Sequence, residues 1–161
     1  MSLMCLLILA TVAGSRLTLT PPRAEDATQI ERGRYLVRIA GCNDCHTSGY
    51  LESAGNLPER VWLTGGDRLG FRGPWGTTYA TNLRVYMNAL AEDQWVAIAR
   101  TAEFRPPMPW FALHVMTEPD LRAIHRFVKH LGPSGGPVPA YLPPGHEPAG
   151  PYVLFPEALT R

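Results

Sequence analysis

Cysteine is scarce in this chain. Three of the 161 residues are cysteine, and only Cys42 and Cys45 lie close together. A zinc site built on that pair would want a second ligand pair. Cys5 stands alone, however, and of the histidines only His125 and His130 fall within finger spacing. A thioredoxin-like pair would want a strand–helix–strand pattern around it, and that pattern is missing too. An excess of one charge is also lacking, with 15 Lys and Arg against 14 Asp and Glu. That balance gives no nucleic-acid footprint and no hint of a partner's sign. No repeat or low-complexity tract stands out, and no apolar run reaches the roughly 20 residues that span a bilayer. The length is one domain's worth, with enough apolar content for a modest core.

Against that background one stretch decides the chemistry. Cys42-Asn43-Asp44-Cys45-His46 is C-x-x-C-H, the attachment signature of a c-type haem. Each thiol adds to one vinyl group on the same side of the porphyrin, and the adjacent imidazole can then swing under the iron. The single motif implies a single haem c, covalent through Cys42 and Cys45.

The chain opens on Met1-Ser2-Leu3-Met4-Cys5-Leu6-Leu7-Ile8-Leu9-Ala10, and its first charge is Arg16. An apolar run of about ten residues ending in small ones reads as a secretory signal peptide. Cleavage is expected after Ala13 or Gly14, within a leader over residues 1–24. The alternative is an uncleaved hydrophobic anchor. Cys5 counts as an ordinary apolar residue of this segment.

Three helices can be placed. The first covers about Thr28 to Ala40, with Ile30, Leu36, Val37 and Ile39 on its apolar face and Gly33 allowing close approach of another helix. The second covers about Ala91 to Arg100, with Glu92 and Asp93 at the positive end of its dipole. The third starts at the N-cap Thr117, repeats Leu121, Ile124, Val128 and Leu131, and stops at Gly132-Pro133. Between the first two lies Thr47 to Leu90, a long segment dense in glycine and aromatics that a buried porphyrin would organise.

A sixth iron ligand is expected from Met108, in Arg105-Pro106-Pro107-Met108-Pro109-Trp110. The flanking prolines remove N–H donors and stiffen the backbone. Met87, Met116 and His114 are the rivals, and a vacant sixth position is the remaining alternative. Trp62, Trp75 and Tyr79 could wall the haem or donate to its propionates, with Arg68 or Arg72 beside them. The plainer reading makes those aromatics loop-organising core and the arginines solvated. His125 and His130 read as surface or interface residues.

Gly33-Arg34-Tyr35 ahead of the motif, the proline-framed methionine after it, and Arg126-Phe127-Val128 in the last helix together resemble a class I monohaem cytochrome c. Gly65-Gly66, Phe71, Gly73-Pro74 and Tyr79-Ala80-Thr81-Asn82 are similar to the cytochrome domains of bacterial alcohol and sugar dehydrogenases. The Asn-Ile-Thr-Pro-Asp stretch usual there is absent. The resemblance implies an all-α, class I cytochrome c fold of three to five short helices around one haem, with long ordered loops. It also implies that the first and last helices cross, Gly33 against Phe127. By function it implies a single-electron carrier rather than an enzyme, with iron held by His46 and Met108, in a bacterial periplasm. Its partners would be redox proteins: a donor dehydrogenase or quinol-oxidising complex, and an acceptor oxidase or another cytochrome. Membrane association would come through a partner or an uncleaved leader. The alternatives are a haem subunit of a membrane dehydrogenase complex and an open-site haem enzyme or gas sensor.

The domain is expected over residues 25–132. Residues 133–161, crowded with proline and glycine, read as an extension without helix or sheet continuity. Val138, Tyr141, Leu142 and Tyr152 to Phe155 make it too apolar for a free linker. It is expected to wrap the core, with docking on a partner as the alternative.

Overall fold

The computed structural model describes residues 24–156. The expected leader, Ala24 apart, lies outside them, as does the end of the C-terminal extension. Six α-helices form the frame: α1 (Ala24–Ile39), α2 (Cys42–His46), α3 (Leu83–Asn88), α4 (Glu92–Thr101), α5 (Trp110–Val115) and α6 (Glu118–Leu131). Helix α6 is the hub, packed by α1, α3 and α4, while α5 rests on α4.

Local chemistry sets the ends of α6. The Thr117 hydroxyl accepts from the Asp120 N–H at 3.3 Å, and Gly132 closes the last turn at a φ of 70°. Three packed neighbours make its buried face wide: Leu121, Ala123, Ile124, His125, Phe127 and Val128 are all enclosed. His125 is therefore inside, not on the surface as its sequence position suggested, whereas His130 is exposed. Trp95 of α4 reaches across the same core and donates its indole N–H to the Leu121 carbonyl at 2.9 Å.

The expectation of an all-α fold is overturned. A three-stranded mixed sheet lies beside the helices, in the order β2-β1-β3. Strands β1 (Gly70–Gly73) and β2 (Gly76–Tyr79) form an antiparallel hairpin, Phe71 opposite Thr78. Strand β3 (Tyr152–Leu154) joins the other edge of β1 in parallel, Phe71 opposite Val153. The domain is mixed α/β, and the six helices among the described residues exceed the three to five expected. Four-residue strands bounded by glycine carry almost no periodic signal, and the β1–β3 pairing joins residues about half the chain apart. The extension is likewise not free of sheet structure: it supplies β3.

The extension runs over the hairpin. Leu142 and Thr77 exchange backbone hydrogen bonds at 2.8 and 3.0 Å, Arg72 pairs with Glu147, and Phe155 packs on Phe71 and Trp75. Further back, the Asn82 side-chain amide donates to the carbonyls of Ser134 and Gly136.

Candidate functional site

The C-x-x-C-H segment is α2 itself. Gly41, at a φ of 68°, turns the chain out of α1 in a left-handed conformation that a side chain would strain. Helix α2 then sets Cys42 and Cys45 three residues apart, on one face, with His46 at its C-terminus. Burial raises both thiols, Cys42 up to about 11. This is opposite to the depressed values of thioredoxin-like pairs.

The loop after the motif and the end of the hairpin hold α2 in place. The His46 carbonyl accepts from the Gly65 N–H at 2.8 Å. A Cβ on Gly66 would stand 2.7 Å from the Cys45 carbonyl oxygen, so only glycine permits that approach. Asn43 is fully buried and its Oδ1 accepts a hydrogen bond from the Thr47 hydroxyl at 2.7 Å, while that hydroxyl accepts from the Leu63 N–H at 2.8 Å.

His46 carries the decisive geometry. Its Nδ1 lies 2.7 Å from the Thr81 carbonyl oxygen, just past β2. A carbonyl only accepts, so Nδ1 bears the hydrogen and Nε2 keeps its lone pair. Burial holds the imidazole below its ordinary pKa, against the pull of the Thr81 bond, which favours the neutral ring. A neutral imidazole with its second nitrogen tied to a backbone carbonyl is prepared to ligate a metal.

Met108 is half-buried, and it packs against the same apolar core that Cys42 touches. Its N–H donates to the Arg105 carbonyl at 3.3 Å, and its carbonyl accepts from the Trp110 N–H at 2.9 Å. Of the rivals, Met87 is wholly buried in α3, His114 is tied through Nε2 to the Ala102 carbonyl at 3.1 Å, and Met116 is half-buried against the core as Met108 is, without the flanking prolines. Cys42, Cys45 and His46 thus share α2, and Met108 shares a core with Cys42. A groove of about 670 Å³ between α1 and the turn at Tyr50–Gly55 is lined by Arg34, Arg38, Asp44 and Leu51, among others. None of the four expected haem-binding residues lines it.

The hairpin gives a test of fit. Among the described residues four buried polar atoms lack a hydrogen-bond partner: Asn43 Nδ2, Trp75 Nε1, Thr77 Oγ1 and Thr78 Oγ1. Three of them sit on the hairpin whose far end holds His46. Each such atom costs about 1–3 kcal/mol unless something meets it. An indole N–H and a hydroxyl are donors suited to a haem carboxylate, but Thr77 and Thr78 are consecutive on β2 and face opposite sides of the sheet, so only one of the two hydroxyls fits that group. Trp62 and Tyr79 are buried core, the indole of Trp62 bonded to the Leu57 carbonyl at 2.8 Å. Arg72 is engaged by Glu147 rather than solvated, and Arg68 is exposed.

Sequence reasoning missed Thr81, because any residue can offer a carbonyl. It also missed Arg84, a buried arginine that donates to the Gly132 carbonyl at 2.6 Å, the Arg60 carbonyl at 2.8 Å and the Leu131 carbonyl. Among the described residues no group of three or more His, Cys, Asp or Glu side chains is arranged to hold a metal ion. Nor is any described helix long and apolar enough to cross a membrane. Comparison with protein-family models, curated proteins and solved structures finds no match to this chain.

Proposed function

We propose that the chain is a single-electron carrier with one haem c, attached through Cys42 and Cys45 and ligated by His46 and Met108, exported to a bacterial periplasm. The observation that carries this reading is the His46–Thr81 hydrogen bond at 2.7 Å within a C-x-x-C-H segment. The haem, once attached, supplies a one-electron iron couple whose potential His/Met ligation raises. The chain does the rest. Thr81 fixes the tautomer and aim of His46. Prolines on both sides of Met108 limit its loop's freedom, so less ordering is needed to present the thioether. The Trp75 indole N–H and one of the hydroxyls of Thr77 and Thr78 would be the donors for the haem carboxylates.

The test is the spectrum and mass of the protein matured with haem in a periplasm, beside Met108→Ala. The expected results are a mass gain of one haem that survives denaturation, and a weak far-red charge-transfer band that Met108→Ala loses. No covalent haem would overturn the reading. Rapid carbon monoxide binding by the wild-type ferrous form would instead indicate an open-site enzyme or sensor.

A second reading, a haem subunit of a membrane dehydrogenase complex, draws on α5. Phe111 and Val115, 63% and 84% exposed, follow Met108 directly and leave an apolar strip free for a partner. Co-purification with a dehydrogenase, lost when Phe111→Ser and Val115→Ser are combined, would support it.

A further inference from the structure

The loop carrying Met108 meets the C-terminal extension at one place. The guanidinium carbon of Arg105 lies 4.0 Å from the centroid of the Tyr141 ring, well within the range of a cation–π contact. Among the described residues Arg105 forms no ion pair. The hydroxyl of Tyr141 donates to the Trp75 carbonyl at 2.7 Å, in the turn between β1 and β2. One residue on, Leu142 bonds the backbone of Thr77 in both directions. Tyr141 therefore holds the start of the methionine loop with its ring and the hairpin tip with its hydroxyl. The hairpin's other end, through Thr81, holds His46. A single side chain of the extension couples the carriers of the two expected iron ligands.

We infer that Tyr141 is a positioning residue for Met108: with Arg105 and the Trp75 carbonyl it clasps the methionine loop to the hairpin and keeps the sixth iron position closed. The inference rests on the reading of Met108 as a ligand. Without the clasp, the loop is ordered by its own prolines, by the backbone bonds of Met108 to Arg105 and Trp110 and by the packing of Phe104 and Met108 on the core, none of which ties it to the hairpin. An external ligand then competes more easily with the thioether. A cation–π contact and a hydrogen bond together account for a shift of about tenfold in that competition.

The experiment measures imidazole affinity of the ferric haem-loaded protein, the far-red charge-transfer band and the midpoint potential. The variants are Tyr141→Leu, Tyr141→Phe, Arg105→Gln and, as a control, Glu147→Gln. The control breaks the Arg72 ion pair of the same extension without touching the clasp. Tyr141→Leu is expected to bind imidazole about tenfold more tightly, with a weakened band. Tyr141→Phe, which keeps the ring under Arg105, should fall between it and wild type. Arg105 is exposed, so Arg105→Gln tests the clasp even where Tyr141→Leu unfolds. A wild-type band with imidazole affinity unchanged in the Tyr141 and Arg105 variants would overturn the clasp alone. So would a Glu147→Gln effect as large as theirs, which would mark general loosening. A wild type lacking the band overturns the methionine ligation, and the clasp with it.

Discussion

Gly33 of α1 lies against Phe127 of α6 so closely that a Cβ built on the glycine would stand 2.7 Å from the Phe127 Cβ and closer still to the Ala123 carbonyl. The contact expected from the resemblance is present, and it sets the crossing of the two helices. Phe127 is fully buried there, its ring 6.3 Å from that of Trp62. Gly33→Ala would add one carbon where backbone, not a flexible side chain, is in the way. Overpacking should outweigh the roughly 1 kcal/mol gain in helix propensity and destabilise the fold by about 2 kcal/mol or more. Urea unfolding checks this; wild-type stability in the alanine variant would mean that the helices can separate freely.

Haem attachment through the α2 thiols makes a chemical prediction. Cys42→Ala and Cys45→Ala should each leave one thioether link, and the double variant none. Haem staining after denaturing electrophoresis reads this directly. Staining that persists in the double variant would sink the assignment of these two residues.

Arg84 is expected to be the costliest charged residue to remove. It satisfies two carbonyls at the end of α6, Leu131 and Gly132, and a third at Arg60. Hydrogen bonds from charged donors contribute about 1.5–3 kcal/mol each, though not additively. Arg84→Ala should therefore lower unfolding stability by about 3 kcal/mol. A change below about 1 kcal/mol would show that water replaces the guanidinium.

Burial holds His125 below its ordinary pKa, although the carbonyls of Leu90 and Met87 and the Glu92 carboxylate pull it upward and Lys129 adds to the depression. A histidine depressed in the folded state binds fewer protons there than in the unfolded chain. Its contribution is complete above the unfolded value of about 6.5 and is lost as pH falls below it. Glu92 and Asp120, both held low by arginines, titrate at lower pH, whereas His46, also held low by burial, shares this window. Chemical unfolding across that range should show a decline that His125→Gln makes shallower; an identical decline in the variant would assign it elsewhere.

Much of the frame could be read from residue order because its signals are local. The Thr117 cap, the 3-4-3 spacing of Leu121, Ile124, Val128 and Leu131, and the stop at Gly132 place α6 within a residue. Helix α1 begins at Ala24 rather than Thr28, and α4 runs Glu92–Thr101 against an expected 91–100. His125 was misplaced because periodicity marks a stripe for one neighbour, whereas α6 has three. The short helices α3 and α5 and the hairpin stayed hidden inside segments whose glycines and prolines read as loop. Arg84 was invisible because its partners are carbonyls, which any residue supplies.

Residue order carries the chemistry: two thiols and an imidazole at fixed spacing, a thioether between prolines, and the caps and periodicity that start and stop the long helices. Folding selects which lone pair His46 presents, what β1 pairs with, and which side chain of the extension reaches the methionine loop. Those outcomes depend on backbone groups and ring faces brought together from distant parts of the chain. Every residue owns a carbonyl, so only folding selects Thr81, Trp75 and Gly132 from the rest.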